Sequence, residues 1–500
     1  MDAEQHDMSM QLKGIVLLFV IIVSYLFWIR YLNGLGGIPG PFLASLSSFW
    51  KWYVVWKEEM PWRNAALHEK YGPLVRIGPK HVSASSLEAL HAVHIHKKGF
   101  QKSAMYEILQ PQLDKAPLHN VFSTRNVEYH SALKRTIGGL YNMSTVTEVE
   151  PNIDRSIQTF ISRLEDITNL QSATVDMSAW LQFWTFDTIG EIDFSQPIGF
   201  LEAGADIDGI CERDHEMMLY YAVWGQVPNI EKFASRWLWN KALKPNRLYT
   251  WTVDLVKSRL DHPTESKDML NSLLHLHKTD PDRLSLREVT GAAYINLVTA
   301  HDVLAIALRA IMYYVCRDQS VYRKLNEEIL QAERLGNLSE PSKYVEVVLL
   351  PYLSAVINEA LRIHPSTGTI FERDVPPEGI LLHGKRIPTG TVIGVNAWVM
   401  NRNKGVFGED VERFRPERWI DNSEEKIRLM KKNLLTFGAG ARSCIGKNIA
   451  MMQLLKVIVE LYRHFDIELA DPKKEWHISG GWLTRQTQMD MVLTKKLQRA

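Results

Sequence analysis

The feature that most constrains the fold is a long apolar segment in the second half of the chain, GAAYINLVTAHDVLAIALRAIMYYVC, from Gly291 to Cys316. Apolar side chains would cover nearly the whole circumference of a helix formed by this segment, which is typical of a helix buried on all sides. A membrane span is the alternative, but His301, Asp302 and Arg309 argue against it because charged groups are costly near a bilayer centre. The segment therefore predicts a buried helix in the core of the protein.

His301 and Asp302 lie at the midpoint of this predicted helix. Burying an acid is unfavourable unless it has a partner. Buried acids often belong to a functional site for that reason, but a structural hydrogen bond would also satisfy Asp302. The segment alone leaves both interpretations open.

The composition excludes several classes of protein. The chain has 500 residues, of which 46% are hydrophobic and 23% charged, and these values are typical of a globular protein. A formal net charge of +1 gives no basic bias, so we expect no nucleic-acid partner. Three scattered cysteines, Cys211, Cys316 and Cys444, cannot form a disulfide framework, which indicates a reducing compartment.

The N-terminal region predicts a membrane anchor at residues 14–32, which are long and apolar enough to cover a hydrocarbon core of about 30 Å. A cleaved signal peptide is the alternative, but the leader at residues 1–13 is rich in acids and no small-residue cleavage site follows. The acidic leader and Arg30 together place residues 1–13 in the lumen and the body in the cytosol. The sequons at Asn142 and Asn337 should therefore be unused.

Residues 33–42 contain GGIPGPF, in which two prolines predict a stiff, non-helical elbow, with an ordinary linker as the alternative. No repeat, low-complexity segment or linker divides residues 43–500, which predict one domain. The pattern is mainly α with minor β. It has a strand-like run at residues 73–78, a long helical middle section and a hairpin pattern at residues 379–395.

Cys444 lies in a glycine-rich segment, LLTFGAGARSCIGKNIA. The glycine spacing fits neither a dinucleotide-binding turn nor a P-loop. No Cys or His stands at zinc-ligand spacing from Cys444. A nucleophile with a distant histidine partner stays open, as does a small buried apolar residue.

The complete spacing around this cysteine resembles a known motif. Phe437, Gly440, Arg442, Cys444 and Gly446 match F-x-x-G-x-R-x-C-x-G, the haem-ligand loop of the cytochrome P450 family. In that family a cysteine thiolate is the axial iron ligand and favours O–O cleavage. The resemblance implies haem b with Cys444 as its metal ligand. It further implies that the glycines admit the porphyrin, that Phe437 screens the sulfur and that Arg442 meets a propionate.

Two blocks upstream are also similar to the family. Glu359 and Arg362 in EALR share one helical face, although such pairs are also common on surface helices. Arg418 in FRPERW matches the arginine that joins them in a buried triad that braces the haem loop. Arg373 in FERDVP matches a position that contacts a propionate.

The resemblance covers essentially the whole chain and implies the single-domain cytochrome P450 fold behind one N-terminal transmembrane helix. Residues 284–316 resemble the long helix over the distal haem face, and Ala300 on it is assigned to haem binding. In EYHSALKR, His130 takes the place of an aromatic residue that meets a propionate. Lys134, followed by Arg135, stands where arginine is usual, and it offers a point charge in place of a planar fork.

The distal helix departs from the family pattern A/G-G-x-D/E-T-T/S, because Asp302 is followed by Val303. The usual threonine helps to deliver protons during oxygen activation, and valine has no hydroxyl. Water could relay protons from Asp302, or the reaction could need less controlled protonation, as in oxidative coupling. Thr299, one turn earlier, could lend its hydroxyl. We expect a hydroxyl of the substrate to complete the relay.

The resemblance implies a monooxygenase at the endoplasmic reticulum membrane that oxidises a lipophilic small molecule. It implies electrons from NADPH–cytochrome P450 reductase, with cytochrome b5 as a further partner. NEALRIHPSTG and AWVMNRNKGVFGEDVERFRPERW resemble filamentous-fungal, pisatin demethylase-like members, which tailor secondary metabolites. The alternatives are a haem-thiolate isomerase or dehydratase that does not use O2, and a non-catalytic haem-binding protein.

Two surfaces follow from the same resemblance. The expected substrate lid and second membrane contact contain Tyr220, Tyr221 and Trp224, then Trp237 and Trp239; core packing is the alternative for these side chains. The expected docking face for an acidic reductase contains Lys431, Lys432 and Lys447, with a merely solvated face as the alternative.

Overall fold

Helices make up most of the structure, a computed structural model that describes residues 2–96, 99–110, 112–113, 116–169, 172–234 and 247–496. The predicted class, mainly α with minor β, is confirmed. The first eleven α-helices are α1 (Asp2–Phe27), α2 (Phe42–Leu46), α3 (Phe49–Trp56), α4 (Met60–Tyr71), α5 (Leu87–Leu90), α6 (Val127–Ile137), α7 (Met143–Val146), α8 (Glu150–Thr168), α9 (Met177–Phe194), α10 (Phe200–Ala203) and α11 (Ile210–Trp224). They are followed by α12 (Pro228–Ala234), α13 (Arg247–Asp261), α14 (Met269–Thr279), α15 (Leu286–Arg317), α16 (Gln319–Arg334), α17 (Tyr344–Val347), α18 (Pro351–Ile363), α19 (Ala397–Met400), α20 (Lys404–Phe407), α21 (Glu424–Asn433) and α22 (Lys447–His464).

The strands are short and form small sheets. They are β1 (Leu74–Gly78), β2 (His81–Ala84), β3 (Gln112–Leu113), β4 (Ala116–Pro117), β5 (Ser172–Asp176), β6 (Phe371–Asp374), β7 (Ile380–Leu382), β8 (Lys385–Ile387), β9 (Val392–Val395), β10 (Phe465–Leu469), β11 (His477–Gly480), β12 (Thr484–Thr487) and β13 (Asp490–Lys495). The largest described sheet has the order β1-β2-β9-β6, with β2 and β9 parallel. A second sheet has the order β10-β13-β5.

The predicted core helix is α15. It begins at Leu286 because Ser285 and Glu288 form a capping box: Glu288 Oε2 accepts from the Ser285 N–H at 2.7 Å, and Ser285 Oγ accepts from the Glu288 N–H at 3.3 Å. Its contact with α9 is the most extensive between any two described elements, and 78% of its most apolar stretch is buried. The helix is therefore long and apolar enough to cross a membrane, but it forms the core instead.

The N-terminal apolar helix is different, because protein hardly covers it. The segment Gln11–Leu32 comprises most of α1 and the π-helical turn Trp28–Leu32. It is long and apolar enough to cross a membrane, and only 6% of it is buried. A helix of this length and exposure is what a membrane anchor at residues 14–32 requires.

The elbow after this helix packs against the body. Leu35 and Ile38 are buried. Arg76 in β1 donates to the carbonyl oxygens of Ile29 and Arg30 at 2.7 and 2.8 Å. A Cβ on Gly40 would lie 2.1 Å from Arg76 O, so only glycine allows this approach. Residues 33–42 are therefore a packed joint, and the end of the apolar helix is bound to the folded domain.

The sheets connect distant parts of the chain. The strand predicted at residues 73–78 is β1. The hairpin pattern at residues 379–395 divides into two parts: β7 and β8 pair with each other, whereas β9 pairs with β2 and β6. This pairing places β6, which carries Arg373, in the same sheet as the N-terminal strands β1 and β2, with β9 between them.

Candidate functional site

The Cys444 loop, residues 437–446, lies between α21 and α22. The Cys444 N–H donates to Phe437 O at 2.8 Å and closes the loop. Gly440 has a φ of 64°, and a Cβ there would lie 1.9 Å from the carbonyl oxygen of His94. Glycine is therefore needed both for the turn and for the close approach of the neighbouring π-helical turn His91–His96.

The thiol of Cys444 is accessible, although it lies deep within the protein. The side chain is exposed, yet the surrounding protein raises the pKa of the thiol by burial. A side chain with both properties faces an interior space. The Gly446 N–H and the charges of Lys134 and Lys447 act in the opposite direction and lower the pKa of Cys444. These three groups favour a thiolate, although burial has the larger effect on the pKa of Cys444.

Lys134 binds the backbone of this loop. Its Nζ donates to Ala441 O at 2.8 Å and to Ser443 O at 3.3 Å. Among the described residues its hydrogen bonds therefore go to backbone carbonyl oxygens, whereas the sequence predicts that it contacts a propionate. These two carbonyl groups immediately precede Arg442 and Cys444, so Lys134 links α6 to the loop.

A group of positive side chains, the cationic cluster, lies beside the loop and consists of Lys102, Arg373 and Arg442. Burial lowers the pKa of Lys102 well below its usual range, and Arg373 and Arg442 lower it further. Burial and then Arg373 lower the pKa of Arg442 to about 10. The nearby carboxylate, Glu372, is already bound by Lys51 Nζ and by Ser103 Oγ. Among the described residues, no carboxylate lies within ion-pair distance of the cationic cluster, so the cluster suits an anion.

Two neighbouring residues predicted to bind the cofactor differ in position. His130 is buried beside the cationic cluster, and burial together with the charges of Arg442, Lys134 and Lys102 lowers its pKa to about 3. Arg135 is exposed and donates to Ser131 O at 3.2 Å. The prediction that Arg135 contacts the cofactor is therefore corrected, because its side chain lies on the outer face of α6.

The three residues of the predicted triad meet at full burial. Arg362 Nε and Nη2 donate to Glu359 Oε2 and Oε1 at 2.9 and 2.8 Å, and Arg418 Nε donates to Oε1 at 3.2 Å. Trp419 Nε1 and the Arg415 N–H donate to the same carboxylate at 2.9 and 3.0 Å. The i, i+3 pair is therefore part of the core, and the interpretation as a surface pair is wrong.

Between residues 289 and 313 of α15, the accessible residues form a single stripe and the others are buried. Asn296, Thr299, Ala300 and Val303 are partly exposed, at spacings i, i+3, i+4 and i+7. The stripe therefore lines an interior space, as Cys444 does. Thr299 Oγ1 donates to Ile295 O at 2.6 Å, so its hydrogen is committed to its own helix. The hydroxyl that the sequence offered for proton delivery is thus already in use.

The sequence profile of the family described as Cytochrome P450 matches residues 39–493. This chain belongs to the cytochrome P450 family. Fungal relatives agree: cytochrome P450 monooxygenase cicH of Emericella nidulans is 33% identical over 93% of this chain and 95% of its own length. Cytochrome P450 monooxygenase gsfF of Penicillium aethiopicum is 34% identical over 96% and 97%. Cytochrome P450 monooxygenase pkfB of E. nidulans is 33% identical over 98% and 97%.

The residues of this P450 fit the haem that the family carries. The thiol of Cys444 is exposed and faces an interior space. The two other cysteines differ: Cys211 is partly buried, Cys316 is buried, and burial raises the pKa of both. Arg442 Nη1 donates to Thr124 O at 2.9 Å, while its buried Nη2 has no hydrogen-bond partner. A partly buried cation with a free donor, beside Lys102 and Arg373, suits the carboxylates of a haem.

The P450 encloses a cluster of acids on the other side of α15. Asp302 is buried, with His301 Nδ1 3.5 Å from its Oδ1, and Asp214 Oδ2 on α11 lies 3.7 Å from His301 Nε2. Although burial opposes it, the pKa of Asp302 lies below its usual range because of His301, Arg485 and Arg309. Asp302 is directed away from the accessible stripe, so its predicted catalytic role needs an intermediary.

Hydrogen bonds around His301 determine where its proton lies. Gln182 Oε1 accepts from Arg309 Nη2 at 2.9 Å, so the Gln182 amide N–H donates to His301 Nδ1 at 3.0 Å. His301 then carries its hydrogen on Nε2, on the side of Asp214. Although burial opposes it, Asp302 and Asp214 raise the pKa of the ring. Burial raises the pKa of Asp214 to about 7. The spacing of these ligand atoms would suit a metal ion, but the hydrogen on Nε2 opposes metal binding.

Sequence reasoning missed two groups at the site. Lys102 lies in a stretch without a motif, and only folding brings it to Arg373. Tyr141 donates its hydroxyl to Asn296 Oδ1 at 2.7 Å, and its carbonyl oxygen accepts from Asn448 Nδ2 at 2.9 Å. Tyr141 therefore joins the helix after Cys444 to the accessible stripe. Asn296 appeared in the sequence only as a polar residue within an apolar helix.

The predicted lid and docking face are partly described. Tyr220, Tyr221 and Trp224 lie on α11, and the Trp224 ring meets that of Trp52 on α3 edge to face at 6.5 Å. Trp237 and Trp239 lie outside the described residues. Nearby aromatic side chains on α3 are exposed: Phe49, Tyr53 and Trp56. Lys431, Lys432 and Lys447 are exposed near the Cys444 loop.

Proposed function

We propose that this P450 is a membrane-anchored haem-thiolate monooxygenase that oxidises a lipophilic small molecule in secondary-metabolite biosynthesis. The observation that carries the proposal is the accessible Cys444 thiol within the protein, next to a cationic cluster that has no carboxylate within ion-pair distance among the described residues. Haem b, when bound, supplies the iron centre at which O2 is activated. The relatives are fungal monooxygenases, which supports an oxidative tailoring step.

Each part of the site has a task in this proposal. Cys444 would supply the thiolate that binds the haem iron, and the Gly446 N–H and two lysines would stabilise its charge. Arg442 and Arg373 receive the haem carboxylates, with Lys102 as a further cation. The stripe on α15 lines the space for substrate and excludes bulk water. Val303 and Ala300 leave that surface largely apolar, which suits a lipophilic molecule.

The location proposed for the protein rests on the N-terminal helix. Residues 14–32 would span the endoplasmic reticulum membrane once, with residues 1–13 in the lumen and residues 43–500 in the cytosol. NADPH–cytochrome P450 reductase, and cytochrome b5 as a further partner, would dock at the face of Lys431, Lys432 and Lys447. Salt-independent rates of reduction would contradict docking by these charges.

Spectroscopy and stoichiometry test the proposed function. The ferrous–CO complex of the purified, haem-loaded protein should show the red-shifted Soret band of thiolate ligation. Incubation with reductase and substrate should consume NADPH and O2 in step with product. A folded, haem-loaded sample without the red-shifted band would contradict the assignment of Cys444. Product formation without O2 consumption would identify an isomerase or dehydratase instead.

A second candidate, chemistry that needs less controlled protonation, is favoured by one observation. The accessible stripe has no free hydroxyl donor, because Val303 has none and Thr299 donates to Ile295 O.

A hydroxyl of the substrate could replace this missing donor, and the reaction would then still be a hydroxylation. Val303→Thr should then improve the yield of product per NADPH only for a substrate that lacks this hydroxyl. Thr299→Ala should change little, and a collapse of that yield in Thr299→Ala would show that the protein supplies the relay.

A further inference from the structure

A second cavity, remote from the Cys444 loop, lies between the start of α9 and the C-terminal strands β12 and β13. Its volume is about 420 Å³. Three basic residues, Arg309, Lys474 and Arg485, and two acids, Asp176 and Asp490, line it. The rest of the lining is polar or small: Ser178, Ala179, Gln486, Thr487 and Gln488. No residue of the Cys444 loop, the cationic cluster or the accessible stripe is among them. The cavity is therefore separate from the proposed haem site.

Arg309 brings a buried charge to the wall of this cavity. It projects from α15 and is almost completely buried. Its Nε donates to Ser178 O at 3.0 Å and its Nη2 to Gln182 Oε1 at 2.9 Å, both uncharged acceptors. Its Nη1 is buried and has no hydrogen-bond partner. Since no carboxylate lies within ion-pair distance among the described residues, the charge of Arg309 is incompletely compensated.

Arg485 on β12 adds a second guanidinium to the same wall. It is partly buried, and its Nε is buried without a hydrogen-bond partner. Within the described ranges no carboxylate comes within 4.0 Å of it. The two arginines also repel each other: burial and then Arg485 lower the pKa of Arg309 to about 10. Like charges held close together need an anion to offset them.

The acids in the lining are already engaged. Asp176 caps the N-terminus of α9 by accepting from the N–H groups of Ser178 and Ala179. Asp490 Oδ2 lies 3.9 Å from Lys474 Nζ. Asp302, which lies behind the arginines, is shared with His301. Three basic and two acidic side chains line the cavity, so its lining has an excess of one positive charge.

We propose that this cavity binds a small oxyanion, a carboxylate or phosphate group, held by Arg485 with the charge of Arg309 behind it. The planar fork of a guanidinium matches two oxygens of either group. The neighbouring cavity, which Arg485 also lines, carries Glu58, Asp206 and Glu212. Those acids repel an anion and confine it to the basic side of Arg485.

Binding at this site would reach the central helix. Arg485 and Arg309 both act to lower the pKa of Asp302. An oxyanion at Arg485 offsets part of their charge, so the pKa of Asp302 rises when the anion binds. The site would thereby connect the concentration of a small anionic metabolite to the electrostatic potential at the acid beside Val303.

Anion binding is measured on the full-length, haem-loaded protein in detergent. Its unfolding temperature is recorded while sodium citrate or sodium phosphate is added, with sodium chloride at matched ionic strength as the reference. We expect a saturable rise with citrate, phosphate or both, beyond the effect of chloride. Arg485→Gln should weaken the response about tenfold or more, because a charge-assisted hydrogen bond is lost. Arg485→Lys should bind with intermediate strength.

Arg428→Gln is the matched control, since Arg428 is an exposed arginine paired with Glu424 on α21. It should respond as the parent protein does. A response to citrate alone identifies a carboxylate ligand, and a response to phosphate alone identifies a phosphate ligand. Equal effects of all three salts, or an unchanged response in Arg485→Gln, would overturn the proposal. Because the parent protein is titrated first, the test does not depend on the variants folding.

Discussion

Replacing Glu359 by alanine removes the centre of the buried triad. The carboxylate is fully buried. It accepts hydrogen bonds from Arg362, Arg415, Arg418 and Trp419. In Glu359→Ala these donors lose their shared acceptor, and each buried donor left without a partner costs about 1–3 kcal/mol.

The largest part of the loss should come from Arg362. Its remaining hydrogen bonds go only to the carbonyl oxygens of Asn401, Val411 and Arg413. Arg418, in contrast, keeps Asp410 Oδ1 at 2.7 Å. Removing one partner of a buried ion pair costs about 3–5 kcal/mol. Because domains are stable by only about 5–15 kcal/mol, Glu359→Ala should yield little folded, haem-loaded protein.

Two measurements check this prediction: the haem content per purified chain and the free energy of unfolding in urea. Glu424→Ala is the matched control. Its pair with Arg428 is also helical but exposed, with 88% and 78% of the two side chains accessible, so the loss should be below about 1 kcal/mol. The double variant Glu359→Ala/Arg362→Ala should lose less than the sum of the single variants. Normal haem content and a loss below about 1 kcal/mol in Glu359→Ala would refute the reasoning.

The remaining predictions concern the loop and the anchor. Cys444→Ser should abolish the red-shifted ferrous–CO band, because a serine hydroxyl stays protonated, whereas alanine at the other two cysteines should leave it intact. Lys134→Met should speed the transfer of haem to an acceptor protein by about tenfold, because two hydrogen bonds to the loop are lost; Arg135→Met should not. A chain cut before Trp28 should fold and bind haem, whereas a cut before Ile38 should lower the unfolding temperature, because it removes two acceptors of the buried arginine in β1.

Contrary outcomes would be informative. A thiolate spectrum in Cys444→Ser would mean that another residue binds the iron. Equal rates of haem loss in Lys134→Met and Arg135→Met would show that the carbonyl contacts of Lys134 do not hold the loop. Equal unfolding temperatures for the two truncated chains would show that residues 28–37 add no stability.

Features that depend on short spacing were predictable from the sequence. The apolar circumference of α15 predicted burial, and the spacing from Phe437 to Gly446 predicted a tight loop around one cysteine. Glu359 and Arg362 are separated by one helical turn, so their meeting follows from helix geometry. Such features need only local periodicity and turn stereochemistry, both of which are written in consecutive residues.

The sequence by itself therefore determined the family, the cysteine loop, the buried helix and the apolar N-terminal segment. Only the tertiary structure decided which distant side chains meet. It brought Lys102 to Arg373, directed Lys134 to the loop carbonyls and left Arg135 outside. It also turned Asp302 towards Asp214 and placed Arg309 beside Arg485. These partners are about 90 to 310 residues apart or differ only in the face of one helix. Their contacts depend on how helices and sheets pack, which no local pattern specifies.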